Sequence, residues 1–468
     1  MATKTTEYRC TNCSATYHQW MGKCNKCEEW GTLEEEEIRS TSTGVGTKTK
    51  RGTTIAPKSA KSIVQSAQQA TKKKRIVTGI GEFDRVVGGG LIPGGVTLLA
   101  GTPGCGKSTL TLALANKIAA QGKTSLIISA EETEHQIADR AHRIGADGMD
   151  NLYVISDNNL TNVLAYIAEI QPEFLVIDSL QTIASPDIES SQGSVSQVKE
   201  VASVITQTAK ESDIPTIIIG HVTKDGNIAG PRAAEHVVDA VLNFEASDDS
   251  SIRMLRGVKN RFGSTDEVGC FEHSENGLEE VLDPSGVFLE KHAETVSGVG
   301  VSVVMEGNRP MPVEIQSLAI LSGIPVPRKV TSGIDPQRSI MLQAVAQRHG
   351  NVILGNHDVY VSSTGGLKIR DTGADVATII AVASARGGFN LPSNLVGIGE
   401  VSLTGEIRRV PYLDRRLEEA RRLGFEMAIV SKHADPAKLK KSREMGLTVV
   451  EVSNVHQLVQ FLGNISGG

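Results

Sequence analysis

The segment GTPGCGKS, at residues 101–108, limits the folds open to this chain more than any other stretch of its sequence. It fits the pattern G-x4-G-K-[S/T] and lies between an apolar run at 95–100, typical of a buried strand, and a helical pattern at 108–120. In that setting the backbone N–H groups of a glycine-rich loop surround phosphate groups. The segment therefore predicts a nucleotide-binding α/β domain.

The residue types in this loop suit ATP and Mg²⁺. Lys107 is expected to reach the β- and γ-phosphates, and Ser108 to bind Mg²⁺. Cys105 is interpreted as a small loop residue, and Thr109 is expected near the α-phosphate. With one carboxylate from downstream, the predicted nucleotide-binding residues are Gly101, Thr102, Pro103, Gly104, Cys105, Gly106, Lys107, Ser108, Thr109 and Asp178.

Acidic residues follow two further apolar runs. The run EFLVIDS ends an expected strand at Asp178, where a carboxylate can hold Mg²⁺ through water. The run LIISAEET, at 126–133, places Glu131 and Glu132 after the strand that follows the loop helix. This arrangement resembles RecA-type ATPases, in which the catalytic glutamate occupies that place. Glu131 is the first choice for the base and Glu132 the second; a solvated acidic turn is the alternative.

The segment GHVTKDG, at 220–226, follows another apolar strand. His221 or Thr223 is a candidate sensor of the γ-phosphate, and Lys224 is placed in a loop that faces the centre of a ring. An ordinary surface loop is the alternative for all three residues.

The order of strands and helices divides the chain. From residue 76 apolar strands alternate with helical patterns, which is typical of a parallel sheet covered by helices on both faces. After about residue 290 the pattern changes, which predicts a second α/β domain. Residues 39–75 contain ten Lys or Arg and no acidic residue, typical of a linker. The predicted parts are a zinc module at 1–30, a basic linker at 31–75, an ATPase domain at 76–285 and a C-terminal domain at 290–468.

Four of the six cysteines lie in the first 27 residues. They form two C-x2-C pairs separated by ten residues, and each pair can direct two thiolates at one metal ion. The predicted zinc ligands are Cys10, Cys13, Cys24 and Cys27. Four thiolates leave no open coordination position, so a structural ion is expected; a redox dithiol pair is the alternative.

The sequence KNRFG, at 259–263, ends an expected strand at 251–262. With a period of two, Lys259 and Arg261 project on the same side of that strand. Lys107 already serves the chain's own nucleotide, so this pair is expected to complete the site of a neighbouring subunit. An exposed basic strand end is the alternative.

KNRFG behind a RecA-type core, together with an N-terminal four-cysteine module, resembles the bacterial RadA (Sms) family of DNA repair proteins. The resemblance extends over essentially the whole chain. It implies a hexameric ring that hydrolyses ATP in response to single-stranded or branched DNA. It also implies that such a ring promotes branch migration alongside RecA.

The C-terminal region resembles the proteolytic domain of Lon. That resemblance aligns Ala374 with the nucleophilic serine and Asp414 with the activating lysine. Without either group the Ser–Lys mechanism cannot run, so a catalytically inactive scaffold is expected. Six arginines within fifteen residues are candidates for DNA phosphate contacts, and a solvated face paired with Glu418 and Glu419 is the alternative. They are Arg408, Arg409, Arg415, Arg416, Arg421 and Arg422. The KKKR run at 72–75 has the same two interpretations.

Composition supports a cytoplasmic protein. The 468 residues include no apolar run near the length of about 18 residues that crosses a membrane. The net charge of −6 means that any attraction to nucleic acid depends on local basic patches. Two other functions remain open at this point, an ATP-dependent protease and a nucleotide-switched scaffold without motor action.

Overall fold

The computed structural model describes residues 5–10, 16–17, 22, 33–38, 74–221, 233–246, 251–274, 277–283, 285–289 and 296–466. The chain divides into two compact units, Met1–Ala70 and Thr71–Gly468. The first contains an antiparallel sheet of order β2-β1-β3, made of β1 (Thr5–Cys10), β2 (Thr16–Tyr17) and β3 (Leu33–Ile38). Cys10 ends β1, and the other three predicted zinc ligands lie outside the described residues.

The first part of the second unit is built on a nine-stranded sheet. Its strands are β4 (Val96–Gly101), β5 (Ser125–Ser129), β6 (Leu152–Ser156), β7 (Phe174–Asp178), β8 (Thr216–His221), β9 (Ala240–Ala246), β10 (Ile252–Asn260), β11 (Val268–Ser274) and β12 (Gly277–Glu280). Its helices are α1 (Gly81–Val87), α2 (Lys107–Ala119), α3 (Glu134–Arg143), α4 (Leu160–Ile170) and α5 (Val195–Glu211). The strand order is β12-β11-β10-β9-β4-β8-β7-β5-β6, parallel from β9 to β6 and antiparallel from β9 to β12.

Hydrophobic side chains cover both faces of this sheet. Leu99 and Ile127 pack with α1 and α2 on one face, and Leu98 and Ile128 pack with α4 and α5 on the other. Neighbouring strand residues therefore point to opposite cores, which explains why the parallel strands are continuous apolar runs. The predicted parallel sheet with helices on both faces is confirmed.

The second part of this unit contains three smaller sheets. Its strands are β13 (Val299–Glu306), β14 (Arg309–Leu321), β15 (Lys329–Ser332), β16 (His357–Ser363), β17 (Leu395–Ile398), β18 (Glu400–Val401), β19 (Ile407–Arg408), β20 (Met427–Ser431) and β21 (Thr448–Val452). Its helices are α6 (Ser285–Phe288), α7 (Pro336–Gly350), α8 (Asp375–Gly387), α9 (Leu413–Arg422), α10 (Pro436–Glu444) and α11 (Val455–Ile465), with 3-10 turns at Thr364–Gly366 and Thr372–Ala374. The sheets are β13-β14-β16-β15, β17-β20-β21 and β18-β19.

A buried ion pair joins the two parts of this unit. Glu82 of α1 contacts the guanidinium of Arg309 at the start of β14, and both side chains are buried. Glu82 also accepts a hydrogen bond of 2.8 Å from the backbone N–H of Cys270. Arg309 donates to the carbonyl oxygens of Val268 and Leu282, at 3.3 and 3.1 Å. Each charge is therefore compensated by several partners, as a buried ion needs.

We expect Arg309→Met to lower the free energy of unfolding by about 3–5 kcal/mol, because it leaves the Glu82 carboxylate buried without its counter-ion. Chemical denaturation followed by circular dichroism measures the change. Arg85→Ala is the matched control, since Arg85 contacts the same carboxylate at 3.3 Å from an exposed position. That substitution should cost about 1 kcal/mol or less. Equal losses in the two variants would contradict the expectation.

Candidate functional site

The chemically capable side chains meet where the parallel strands end. The glycine-rich loop follows β4, Glu131 follows β5, Asp178 ends β7 and His221 ends β8. These four strands are neighbours in the order β4-β8-β7-β5. In open α/β sheets this carboxyl edge is the usual place for ligands. The fold therefore brings Lys107 and His221, which are 114 positions apart in the sequence, to one site.

Lys107 begins α2 and points back into the loop. Its ammonium group donates to the carbonyl oxygens of Gly101 and Thr102, at 2.9 and 3.0 Å. Burial lowers the pKa of Lys107, and the nearby Cys105, Asp178 and Glu131 oppose that effect. The lysine is held at the N-terminal end of α2, where the helix dipole favours anions.

Close packing explains one glycine of the loop. A Cβ atom on Gly101 would lie 2.4 Å from the carbonyl oxygen of Phe244 in β9 and 3.0 Å from the sulfur of Cys105. Cys105 is itself buried, and burial raises the pKa of its thiol. The small residues expected at both positions thus fit between the loop and the neighbouring strand. Thr102, Pro103 and Gly104 are exposed at the mouth of the loop.

Asp178 is buried beside the loop. Burial, as the main cause, and the charge of Glu131 raise the pKa of its carboxyl group, while a hydrogen bond from Ser108 lowers it. Its Oδ1 atom has no hydrogen-bond partner among the described residues. A buried carboxylate oxygen without a partner costs free energy unless a ligand compensates it. Ser108 and Asp178 therefore fit a divalent cation such as Mg²⁺, which prefers oxygen ligands.

Glu131 faces the same space. Its Oε1 atom lies 3.0 Å from Nε2 of His221 and accepts a hydrogen bond from the Ser179 hydroxyl. His221, as the largest cause, and Ser179 lower the pKa of Glu131 below its usual range. The glutamate is consequently ionised at neutral pH and able to accept a proton.

Glu132 is engaged elsewhere. Its Oε1 atom forms an ion pair with Arg140, the seventh residue of α3. Thr133, the next residue, is the N-cap of α3 and forms a capping box with Gln136. The two adjacent glutamates therefore have different surroundings: Glu131 lies beside His221 and Asp178, and Glu132 lies beside α3.

Lys259 and Arg261 lie at the opposite end of the sheet. The ammonium group of Lys259 donates to the carbonyl oxygens of Glu235 and Val238, at 2.6 and 2.7 Å. Arg261 pairs with Asp239 at 3.1 Å, and Asp239 accepts a hydrogen bond from the N–H of Val96, the first residue of β4. The glycine-rich loop follows the last residue of β4, about 16 Å further along the strand. The pair cannot serve its own subunit's loop.

The strand that carries this pair is not regular throughout. Its pairing with β9 shifts between Gly257 and Lys259, which makes Val258 the extra residue of a β-bulge. The unbroken alternation predicted over 251–262 is therefore wrong at this point. Lys259 and Arg261 nevertheless contact the same segment, 235–239.

The last residue of the predicted linker is anchored. Arg75 donates to the carbonyl oxygen of Phe262, in KNRFG, at 2.7 Å, and to those of Val87 and Gly90 at 3.1 and 3.0 Å. A phosphate-binding role for this arginine is not supported, because its guanidinium is already bound. Thr223 and Lys224 lie outside the described residues.

The predicted protease positions hold no nucleophile and no free base. Ala374 is buried at the end of a 3-10 turn, and Asp414 pairs with Lys438 at 2.9 Å. Ser384 is buried in α8, where its hydroxyl donates to the carbonyl oxygen of Phe389 and accepts from the N–H of Gly298. Ser384 therefore stabilises the fold through two hydrogen bonds to the backbone.

The six arginines do not form one basic surface. Arg416 is buried and donates to the carbonyl oxygens of Val303 and Pro411 while pairing with Asp371. The suggestion that it contacts DNA is wrong, because its donors are used inside the protein. Arg422 pairs with Asp283 and Glu419. Like Arg422, the remaining four are exposed: Arg408, Arg409, Arg415 and Arg421.

Comparisons with known proteins agree with this geometry. Residues 68–227 match the family described as an AAA domain, and residues 8–35 match the rubredoxin metal binding domain. The DNA repair protein RadA of Mycobacterium tuberculosis (strain ATCC 25618 / H37Rv) is 40% identical over 467 residues, covering 100% of this chain and 95% of that protein. RadA of Escherichia coli (strain K12) is 40% identical over 438 residues, covering 93% and 94%. This chain belongs to the RadA family of DNA repair proteins.

The matched regions contain the sites described above. The AAA domain match includes the glycine-rich loop, Glu131, Asp178 and His221, and the metal-binding match includes all four predicted zinc ligands. KNRFG and the C-terminal part lie outside both domain matches, but the RadA proteins align with them along their full length. A KaiC-like protein of Pyrococcus horikoshii covers 45% of this chain at 22% identity, with a TM-score of 0.38.

Two neighbours of the site were not anticipated from the sequence. Ser179 contacts Glu131, and Gln181 donates a hydrogen bond of 3.5 Å to the carbonyl oxygen of His221. Their positions directly after the β7 strand end were the available signal, because residues there face the same edge as Asp178. No helix in the described part of the chain is long and apolar enough to span a bilayer.

Proposed function

We propose that this RadA-family protein is a DNA-dependent ATPase that acts as a ring and drives branch migration of recombination intermediates. The observation that carries the proposal is the pair of half-sites on one subunit. Lys107, Asp178 and Glu131 meet at the carboxyl edge of the sheet, while Lys259 and Arg261 lie at the opposite end. A ring of such subunits can join one half-site to the other.

Each residue near the loop has a defined part in hydrolysis. Glu131 orients the attacking water and accepts its proton, since it is ionised and faces the space beside Asp178. Lys107 stabilises charge on the β- and γ-phosphates. Ser108 and Asp178 would hold Mg²⁺, which supplies charge neutralisation when bound. His221 keeps Glu131 facing the site.

Lys259 and Arg261 are the two cations proposed to complete the nucleotide site of a neighbouring subunit. Two cations brought to the γ-phosphate by another subunit make hydrolysis depend on assembly, as an arginine finger does. In the single chain Lys259 donates to carbonyl oxygens and Arg261 is half exposed. If Arg261 turned to a neighbour, Asp239 would keep Lys210 as its counter-ion.

The partners and the other metal ion follow from family membership. We propose single-stranded and branched DNA as the substrates, RecA as the partner and the cytoplasm as the location. Zn²⁺ is the ion proposed for the four N-terminal cysteines. Four thiolates saturate a tetrahedral site, which gives that ion a structural role.

We expect single-stranded DNA to raise the steady-state rate of ATP hydrolysis several-fold. A coupled assay with and without DNA measures the effect. Lys107→Ala is the control for contaminating ATPases, because it removes the phosphate-binding ammonium group and should abolish both rates. Hydrolysis that is indifferent to DNA would instead favour a nucleotide-switched scaffold.

An exposed apolar face supports assembly of several copies. Leu318 of β14 and Val330 of β15 lie on either side of Tyr360 in the same cross-strand row, and both aliphatic side chains are about half exposed. Leu321 and Val326, nearby in the chain, are also exposed. Contiguous exposed apolar surface marks an interaction site. We propose that a second copy of this chain covers it.

We expect the double substitution Leu318→Asp and Val330→Asp to shift the protein from a ring towards the monomer, because charged groups cannot be buried unpaired between subunits. Analytical ultracentrifugation measures the change in sedimentation coefficient. Leu403→Asp is the control, since Leu403 is also an exposed aliphatic residue but lies in a turn outside this row. An unchanged sedimentation profile in the double variant would remove this face from the interface.

A further inference from the structure

Three side chains of different elements bring metal-ligating atoms together beside the loop. Glu131, Asp178 and His221 each offer one ligand atom, and these atoms lie within 4.8 Å of one another. They come from the ends of three neighbouring strands, β5, β7 and β8, so the sheet fixes their spacing. One of the donors is an imidazole nitrogen, which a site for Mg²⁺ alone does not need.

Two observations indicate that the cluster is built for a ligand. Asp178 is 6% exposed, and its Oδ1 atom has no hydrogen-bond partner within the described parts of the chain. The ring nitrogens of His221 are sheltered from solvent, and neither makes an aligned hydrogen bond to the described residues. The 3.0 Å between Glu131 Oε1 and His221 Nε2 is therefore a close contact without hydrogen-bond alignment. Such polar atoms are ordinarily satisfied when buried.

The charges around the cluster also suit a cation. Two carboxylates face the space, and the ammonium group of Lys107, whose charge acts on both, donates its hydrogen bonds to the carbonyl oxygens of Gly101 and Thr102. Arg140 is directed at Glu132, outside the cluster. A divalent ion would balance the two acidic groups and provide the missing partners.

We propose that Glu131, Asp178 and His221 directly bind a first-row transition-metal ion such as Mn²⁺ in the absence of nucleotide. Two carboxylate oxygens and one imidazole nitrogen on one side of an ion leave further coordination positions open. Imidazole favours transition metals over Mg²⁺, and carboxylates favour Mn²⁺. The site differs from the Mg²⁺ position at Ser108 and Asp178 because His221 and Glu131 are ligands.

The inference extends the proposed function, because it adds a metal ion that binds Glu131, the proposed base. It rests on the same carboxylates but not on DNA, on assembly or on turnover. Binding is therefore measured on the full-length protein without nucleotide or DNA. A protein that fails to respond to DNA can still bind Mn²⁺, so the two proposals fail separately.

The experiment is a titration with Mn²⁺ of the full-length protein, freed of nucleotide and Mg²⁺ but with zinc retained at its N-terminal cysteines, followed by the electron paramagnetic resonance signal of the free ion. Mn²⁺ is chosen because it prefers oxygen and nitrogen ligands and does not compete well for thiolates. We expect one ion per chain, with affinity lowered at least about tenfold by His221→Ala. Asp178→Asn should abolish binding. His142→Ala is the matched control, because the His142 imidazole pairs with Asp147, at 2.6 Å on the surface, and is not part of the cluster.

A second measurement needs no variant. A directly coordinated imidazole gives a ¹⁴N modulation in the pulsed spectrum of bound Mn²⁺. Its presence in the wild type, and its loss in His221→Ala, supports the proposal. Bound Mn²⁺ without that modulation, or no binding at all without nucleotide, overturns it. A tenfold excess of Mg²⁺ that displaces the ion fully would overturn it as well.

Discussion

Glu131→Gln should lower kcat for ATP hydrolysis by about 10²–10⁴-fold while leaving ATP binding nearly unchanged. The substitution keeps the shape of the side chain and its contact with Ser179, but glutamine cannot accept a proton from the attacking water. Fluorescent-nucleotide binding and single-turnover hydrolysis separate the two effects. Because the loss concerns a group that acts in the transition state, kcat and kcat/KM should fall together.

The adjacent glutamate provides the control. Glu132→Gln makes the same chemical change one residue away, in a side chain that pairs with Arg140. We expect turnover within a few-fold of the wild type, with a small loss of stability from the weakened ion pair. If Glu132→Gln were the inactive variant and Glu131→Gln retained turnover, the assignment of the base would be reversed.

A mixture of two inactive proteins should recover activity. Lys107→Ala removes the loop lysine, and Lys259→Ala removes the cation proposed to act on a neighbour; each alone should lose about 10³-fold or more. In mixed rings, a subunit with an intact loop can lie beside one with an intact Lys259. Some sites are then complete, so the mixture should hydrolyse ATP well above the sum of its components.

The alternative interpretation of KNRFG, an exposed basic strand end, predicts a different result. If Lys259 served its own subunit or merely stabilised the 235–239 segment, mixing would restore nothing. Lys210→Ala is a useful control, because Lys210 also binds Asp239, at 3.1 Å, but does not belong to KNRFG. It should lose little activity. A loss as large as that of Lys259→Ala would show that support of Asp239 is what matters.

Sequence patterns predicted the strand ends well because a buried parallel strand is a short apolar run with few alternatives. The run at 174–178 is one strand in the structure, with Asp178 at its end as expected. The glycine-rich loop was equally clear, because its residues and the strand and helix beside it depend on local sequence. These features needed no knowledge of distant contacts.

Side-chain surroundings were beyond the sequence because distant residues decide them. Glu131 contacts His221 and Glu132 contacts Arg140, so two adjacent glutamates have different surroundings. Arg416 looks like its neighbouring arginines in the sequence, yet the backbone carbonyl of Val303, 113 positions away, makes it part of the core. The bulge at Val258 likewise depends on how β10 pairs with β9.

The strand β4 is held by a carboxylate at its first residue, Val96, and is followed by the glycine-rich loop at its other end. Asp239 holds the N–H of Val96 with one carboxylate oxygen and shares the other between Lys210 and Arg261. In the proposed ring, Arg261 would leave Asp239 to contact the nucleotide of a neighbouring subunit. Asp239 would then lose one of its two counter-ions whenever the neighbour's site is completed. Because β4 joins Asp239 to the glycine-rich loop, this change would link the state of the neighbour's site to the loop of the subunit that supplies Arg261.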